Sequence, residues 1–132
     1  MSARSRTPAY DSVDFRPPAP TALVTVRSPA TGAVIPNVSL LLDTGSDVSL
    51  LPREPLAQLL DSIESSQQYE VEGFDGTRSW APVVHLELQF LGKSFRGQFL
   101  LIDGRHGILG RNVLNAVSIL FDGPSLHWKE QQ

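Results

Sequence analysis

Leu40-Leu41-Leu42-Asp43-Thr44-Gly45-Ser46-Asp47-Val48-Ser49-Leu50-Leu51-Pro52 is the stretch on which the reading of this chain turns. An apolar run typical of a buried strand ends on an acid, and apolar residues resume at Val48. An acid directly after such a strand sits at the strand's end, held rigidly yet within reach of a cleft. Gly45 lets the backbone turn sharply and leaves amide groups facing the carboxylate. Thr44 offers a hydroxyl on a stiff β-branched stem. Asp-Thr-Gly alone is a weak signal, because a tripeptide recurs by chance and often marks only a strand-ending turn.

Working outward, the periods are mostly those of strands. Thr21 to Arg27 is β-rich, Ser28 to Gly32 supplies the turn that ends it, and Val34 to Asp43 is the next strand. Residues 1–20 form a proline-rich, polar arm in which Pro17-Pro18-Ala19-Pro20 cannot build a ladder or a helix interior. The arm is expected to be flexible, with its last part able to pack on the body. Residues 21–132 then make the folded domain. Pro52 to Ile63 can carry a short helix with Leu56, Leu59, Leu60 and Ile63 on one face. Tyr69 to Pro82 reads as a hairpin about Asp75-Gly76, in a register that sets Val71 opposite Trp80 and Gly73 opposite Arg78. Val84 to Phe90 alternates strictly, so Val84, Leu86, Leu88 and Phe90 point inward. Leu91-Gly92-Lys93 turns the chain into a strand from Ser94 to Ile102. A short helix is expected over Arg111 to Val117, and the last strands over Ser118 to Phe121 and Ser125 to Lys129. This is an all-β plan with one or two short helices.

Three elements in fixed order carry a resemblance. The segment around Asp43-Thr44-Gly45-Ser46, flanked by apolar residues, is similar to the active-site segment of clan AA aspartic proteases. Ile108-Leu109-Gly110-Arg111-Asn112, followed by the helix-like Val113 to Val117, resembles the apolar-apolar-Gly-Arg-Asn/Asp segment of retroviral proteases. Between them Glu72-Gly73-Phe74-Asp75-Gly76-Thr77 lies where that family has its flap. The chain thus resembles a retropepsin-like aspartic protease over roughly residues 21–128, with the arm outside the match. The fold implied is a closed β-barrel, a single acid-protease lobe with a flap hairpin.

One count then decides the implied architecture. An aspartic protease needs two carboxylates sharing a proton, and this chain has one Asp-Thr-Gly, so the second must come from another copy. A two-fold axis between the two Asp43 side chains supplies it, and the expected partner is a second chain in a homodimer. The resemblance implies that Asp43 is catalytic, that Thr44 braces the two active-site loops across the axis, and that Gly45 presents its carbonyl to the substrate backbone. It implies that Asp47 meets the main chain of an extended polypeptide substrate and forms an ion pair with Arg111. Gly73, Phe74, Asp75 and Gly76 are the flap residues expected over the substrate. Ser46 stands where many retroviral enzymes have Ala; its hydroxyl could donate to Asp43, favour the ionised form and give an acidic optimum. The family uses no cofactor and no metal. The C-terminal strands could build the dimer base, alone if the arm does not join them.

Composition narrows the alternatives. A hydrophobic share of 41% and a charged share of 19% are those of a globular domain. A net charge of −3, with no cluster of Lys and Arg, argues against a nucleic-acid partner. No apolar run reaches the roughly 20 residues of a membrane span. The first residues lack the apolar stretch of a secretory signal, so a cytoplasmic location is expected. There are no cysteines, hence no disulfide framework and no thiolate chemistry. His85, His106 and His127 lack metal-ligand spacing. Two other readings compete with an active endopeptidase: the same fold as a catalytically weak or inactive peptide-binding or protein-binding module, and a β-barrel ligand binder in which Asp43 is incidental.

Overall fold

The computed structural model describes residues 8–60, 68–73 and 75–132. In chain order the elements among them are β1 (Thr21–Arg27), β2 (Val34–Leu42), β3 (Leu50–Pro52), α1 (Ala57–Leu60), β4 (Gln68–Glu72) and β5 (Arg78–Phe90). They continue with β6 (Lys93–Ile102), β7 (His106–Leu109), α2 (Arg111–Leu114), β8 (Ile119–Asp122) and β9 (His127–Glu130). The main sheet has the order β1-β2-β7-β3-β6-β5-β4, and β5 also pairs back onto β1 through Thr25–Gln89, Val26–Leu88 and Arg27–Glu87. Six strands therefore close into a barrel, with β4 outside the ring as the partner of β5. The closed all-β architecture agrees with the expectation.

Period-two alternation explains the walls. In β1, Ala22, Val24 and Val26 are buried while Leu23 points outward. In β2, Val38, Leu40 and Leu42 are buried, and Ser39 and Leu41 lie half-buried on the outer face. Leu51, Leu86, Leu88 and Leu109 complete a core in which each of these four side chains is fully enclosed. Full burial of such a side chain is worth about 1.5–3 kcal/mol, so the ring is held mainly by apolar packing. Val84, Leu86, Leu88 and Phe90 all point inward as the pattern predicts.

Pro82 does not end the preceding strand. The expected hairpin arm and the strand after it run together as β5, 13 residues long. Its first half pairs with β4 and its second with β6 and β1. Around the join Ala81 and Val83 pack with Leu50 and Leu100 in a small second cluster, while Val84 returns to the main core. One strand thereby belongs both to the barrel and to the hairpin that projects from it.

The hairpin register differs from the expected one. Glu72 pairs with Arg78, Val71 with Ser79 and Glu70 with Trp80, so the proposed Val71–Trp80 and Gly73–Arg78 pairs do not form. The cause is the turn. Gly73 N–H donates to the Thr77 carbonyl at 2.9 Å, Gly76 N–H donates to the Gly73 carbonyl at 3.0 Å, and Gly76 takes φ +83°. That is a three-residue loop with glycine at the left-handed position, where a two-residue turn was expected. Moving the register by one residue exchanges the faces of the hairpin. Trp80 is left 65% exposed.

The first helix starts later than expected, at Ala57, and the second is shorter than expected. In α1, Leu56 beside it and Leu59 and Leu60 within it are buried as the pattern predicts; Ile63 lies outside the described residues. The segment expected to be helical to Val117 is α-helical only over α2, and the next residues continue in turns, with Ala116 N–H on the Val113 carbonyl. Residues 8–20 of the arm are seated on the body. Ala9 bridges to His127, Asp11 to Ala19, and Tyr10 N–H donates to the Leu126 carbonyl at 2.8 Å. β8 and β9 form their own two-stranded sheet, anchored by Trp128, which is buried against Phe90 and donates its indole N–H to the Thr21 carbonyl at 2.9 Å. No helix among the described residues is long and apolar enough to cross a membrane.

Candidate active site

Asp43 follows directly on β2, where parallel pairing to β7 ends at Leu42–Leu109. Its N–H donates to the Leu109 carbonyl at 3.0 Å, so one more ladder bond fixes the acid at the rim of the barrel. The loop then turns back on itself: Gly45 N–H donates to Asp43 Oδ1 at 2.9 Å and Ser46 N–H to the Asp43 carbonyl at 3.2 Å. The acid is half-buried, and Thr44 and Gly45 are exposed. An amide aimed at the carboxylate is the arrangement expected from the glycine.

The second motif locks this loop from below. Arg111 N–H donates to the Ser46 carbonyl at 2.8 Å, and the Arg111 guanidinium donates to the Thr44 carbonyl at 2.7 Å. Gly110 is required by proximity, since a Cβ there would run into the Val48 carbonyl and lie 2.8 Å from the Ser46 carbonyl oxygen. The buried Ser49 accepts from Gly110 N–H at 2.9 Å and donates to Asn112 Oδ1 at 2.7 Å. A strand-turn unit and a strand-helix unit, 67 residues apart at Thr44 and Arg111, are thus one rigid body.

Two expectations are corrected here. Arg111 does not form the ion pair with Asp47; its guanidinium is engaged by the Thr44 carbonyl, and Asp47 stays exposed at the cleft. A backbone carbonyl placed 2.7 Å away is a fixed partner, whereas an exposed carboxylate would have to be desolvated and immobilised first. Nor does the Ser46 hydroxyl reach Asp43. It donates to the Val48 carbonyl at 2.6 Å, two residues along, and so stiffens the turn.

Above the loop lies an open cleft of about 540 Å³. Asp43, Gly45, Ser46 and Asp47 form its floor, Val48, Leu50 and Ile108 its apolar wall, and Val71, Glu72 and Gly73 of the hairpin its overhang. Of the residues singled out from sequence, the structure brings Asp43, Gly45, Ser46, Asp47 and Gly73 to this one cleft. Thr44 and Arg111 stand behind it, Asp75 and Gly76 sit at the hairpin tip beyond it, and Phe74 lies outside the described residues. At the tip the Thr77 hydroxyl (2.7 Å) and N–H (3.0 Å) both donate to Asp75 Oδ1, and these two bonds hold the Asp75 carboxyl below its ordinary value of 3.8. Sequence reasoning missed Ser49 as the buried link and Val48, Leu50 and Ile108 as the cleft wall. The apolar residues resuming after Ser46 and preceding Gly110 were the available signal.

No family model matches the chain, and no curated protein matches it. Among solved structures it is similar to EIAV protease complexed with the inhibitor HBY-793, with 22% sequence identity and a TM-score of 0.54. The match covers 80% of this chain and 91% of that one. At this identity the likeness is one of fold: the chain has the closed-barrel fold of a single retropepsin-like lobe, the fold of a retroviral protease.

Proposed function

We propose that the chain is an aspartic endopeptidase whose catalytic dyad is formed by Asp43 of two copies in a homodimer. The observation that carries this reading is Asp43 itself, fixed at the end of β2 with Gly45 N–H on its carboxylate and open to a cleft overhung by a hairpin. A single lobe offers one such acid, and hydrolysis of a peptide by this chemistry takes two. Two carboxylates about 3 Å apart cannot both ionise readily, so the pair holds one proton and titrates as a unit. The ionised member takes a proton from a shared water, and the protonated member polarises the scissile carbonyl. Water attack gives a tetrahedral diol, and proton transfer to the leaving amine breaks the C–N bond.

The substrate is an extended polypeptide. Asp47 and the Gly45 carbonyl meet its main chain from the floor and Gly73 meets it from the hairpin, a reading supported by the presence of all three residues in the cleft lining. Val48, Leu50, Val71 and Ile108 favour apolar side chains along it. The test is cleavage of an unfolded protein from about pH 3 to 8 by the wild-type chain and by Asp43→Asn. Cleavage by the wild type and its loss in the variant are expected. Peptide binding without cleavage by a folded, dimeric wild type, unchanged in Asp43→Asn, would replace the enzyme with a binding module.

A further inference from the structure

The second cluster of chemistry-bearing side chains lies at the other end of the β2–β7 pair. Asp11 and Asp14 of the arm converge there on His106, the first residue of β7. His106 Nε2 is 2.7 Å from Asp14 Oδ2 and 4.0 Å from Asp11 Oδ2, and all three atoms lie within 4.8 Å of one another. Each of the three side chains has its other polar atom already engaged. Asp11 Oδ1 accepts the backbone N–H groups of Val13 and Asp14, both at 2.9 Å. Asp14 Oδ1 is held by the Arg105 guanidinium at 3.1 Å. His106 Nδ1 is 2.8 Å from the Ser39 hydroxyl, its register partner on β2.

From this the geometry points to a divalent transition-metal site of the zinc type, with Asp11 Oδ2, Asp14 Oδ2 and His106 Nε2 as ligands. Zinc bonds nitrogen and carboxylate oxygen at about 2.0–2.2 Å, which sets tetrahedral ligand–ligand edges of about 3.3 Å. The observed separations bracket that edge, so small side-chain rotations admit the ion. The outer contacts are those that fix ligands: a hydroxyl that sets the imidazole's orientation, and donors that engage one carboxylate oxygen of each acid and leave the other facing the cluster. Asp11 and His106 also line an open cleft of about 960 Å³, from which water takes the fourth position. Binding replaces the direct His106–Asp14 contact with bonds to the ion and ties the arm to the barrel.

The test uses the full chain, freed of metal with a chelator and then dialysed, and titrated with Co²⁺ near pH 7.5. One ion per chain is expected, with the visible absorption of a tetrahedral site that Zn²⁺ abolishes by displacement. His106→Gln and Asp14→Asn should each weaken binding at least about tenfold, and Ser39→Ala by about 10–100-fold. Asp43→Asn, at the far end of β2, should leave it unchanged. No saturable uptake up to about 1 mM metal, or uptake that survives both ligand substitutions, overturns the site. Should those variants fail to fold, modification of the wild-type histidines by diethyl pyrocarbonate decides the matter. Zn²⁺ must shield His106 and leave His85 and His127 reactive; equal modification with and without Zn²⁺ overturns the proposal.

Discussion

Ser49 and Ser28 are the buried polar side chains among the described residues, and of these two it is Ser49 that helps join the halves of the candidate site. Its hydroxyl serves as acceptor for Gly110 N–H and donor to Asn112, so both of its roles are filled in a place where water does not reach. Removing it leaves the buried Gly110 N–H without its partner, which costs about 1–3 kcal/mol, while the exposed Asn112 can turn to solvent. Ser49→Ala is therefore expected to lower the urea midpoint by an amount equivalent to at least about 1 kcal/mol with the m-value unchanged. Ser46→Ala should cost less, since a local bond to the carbonyl two residues on can be replaced by solvent. The strand end and turn at Asp43, Thr44 and Gly45 were legible in the sequence, because an apolar run that stops at an acid and a glycine marks such a turn. The partner of Arg111 was not legible. A carbonyl is present on every residue, and no side-chain pattern marks which one a guanidinium will meet.

Among the elements, the hairpin of β4 and β5 is the part whose sequence reading and geometry diverged. Asp75-Gly76 does mark the turn, but the loop length was set by Thr77, whose hydroxyl and amide both bind the Asp75 carboxylate and draw it into the loop. A side chain that binds backbone and hydroxyl together is invisible to a pairing rule based on turn dipeptides. The same contacts give the hairpin a pH dependence of definite sign. The folded-state pKa of Asp75 is lowered from 3.8, so its contribution is present above that value and fades as pH falls through the lower, folded one. NMR titration should place the Asp75 carboxyl below 3.8, with Thr77 amide protection declining over the same interval. Thr77→Val should return the carboxyl toward 3.8, the hydroxyl being the larger of the two causes. The strands, by contrast, were legible almost residue by residue wherever alternation was strict, as in β1 and the second half of β5. β5, which runs on through Pro82, and α2, which stops at Leu114, are elements whose limits depend on neighbours.

For the whole molecule, closure of six strands and the cross-link through Ser49 make the lobe a complete scaffold with half of the proposed dyad. Proposed activity then depends on association. Specific activity per chain should fall on dilution, in step with the dimer fraction measured by sedimentation, and mixing in excess Asp43→Asn should suppress it. Undiminished activity per chain at dilutions where sedimentation shows only monomer would exclude a dyad shared between copies. An all-β plan was readable from the strand pattern, and the closed barrel was implied by the resemblance; closure through β1 and β5 was not legible in the residues themselves. Contacts between Thr25 and Gln89 leave no local pattern in either strand.

The two tryptophans divide the molecule between them. Trp128 is sealed against Phe90 beneath the arm, and Trp80 stands on the hairpin 65% exposed. Their fluorescence is accordingly separable by quencher: acrylamide or iodide will reach Trp80 first and Trp128 only on unfolding. Trp128→Phe would leave a single emitter on the hairpin, and its signal on adding a peptide would time the closing of the cleft without any attached dye.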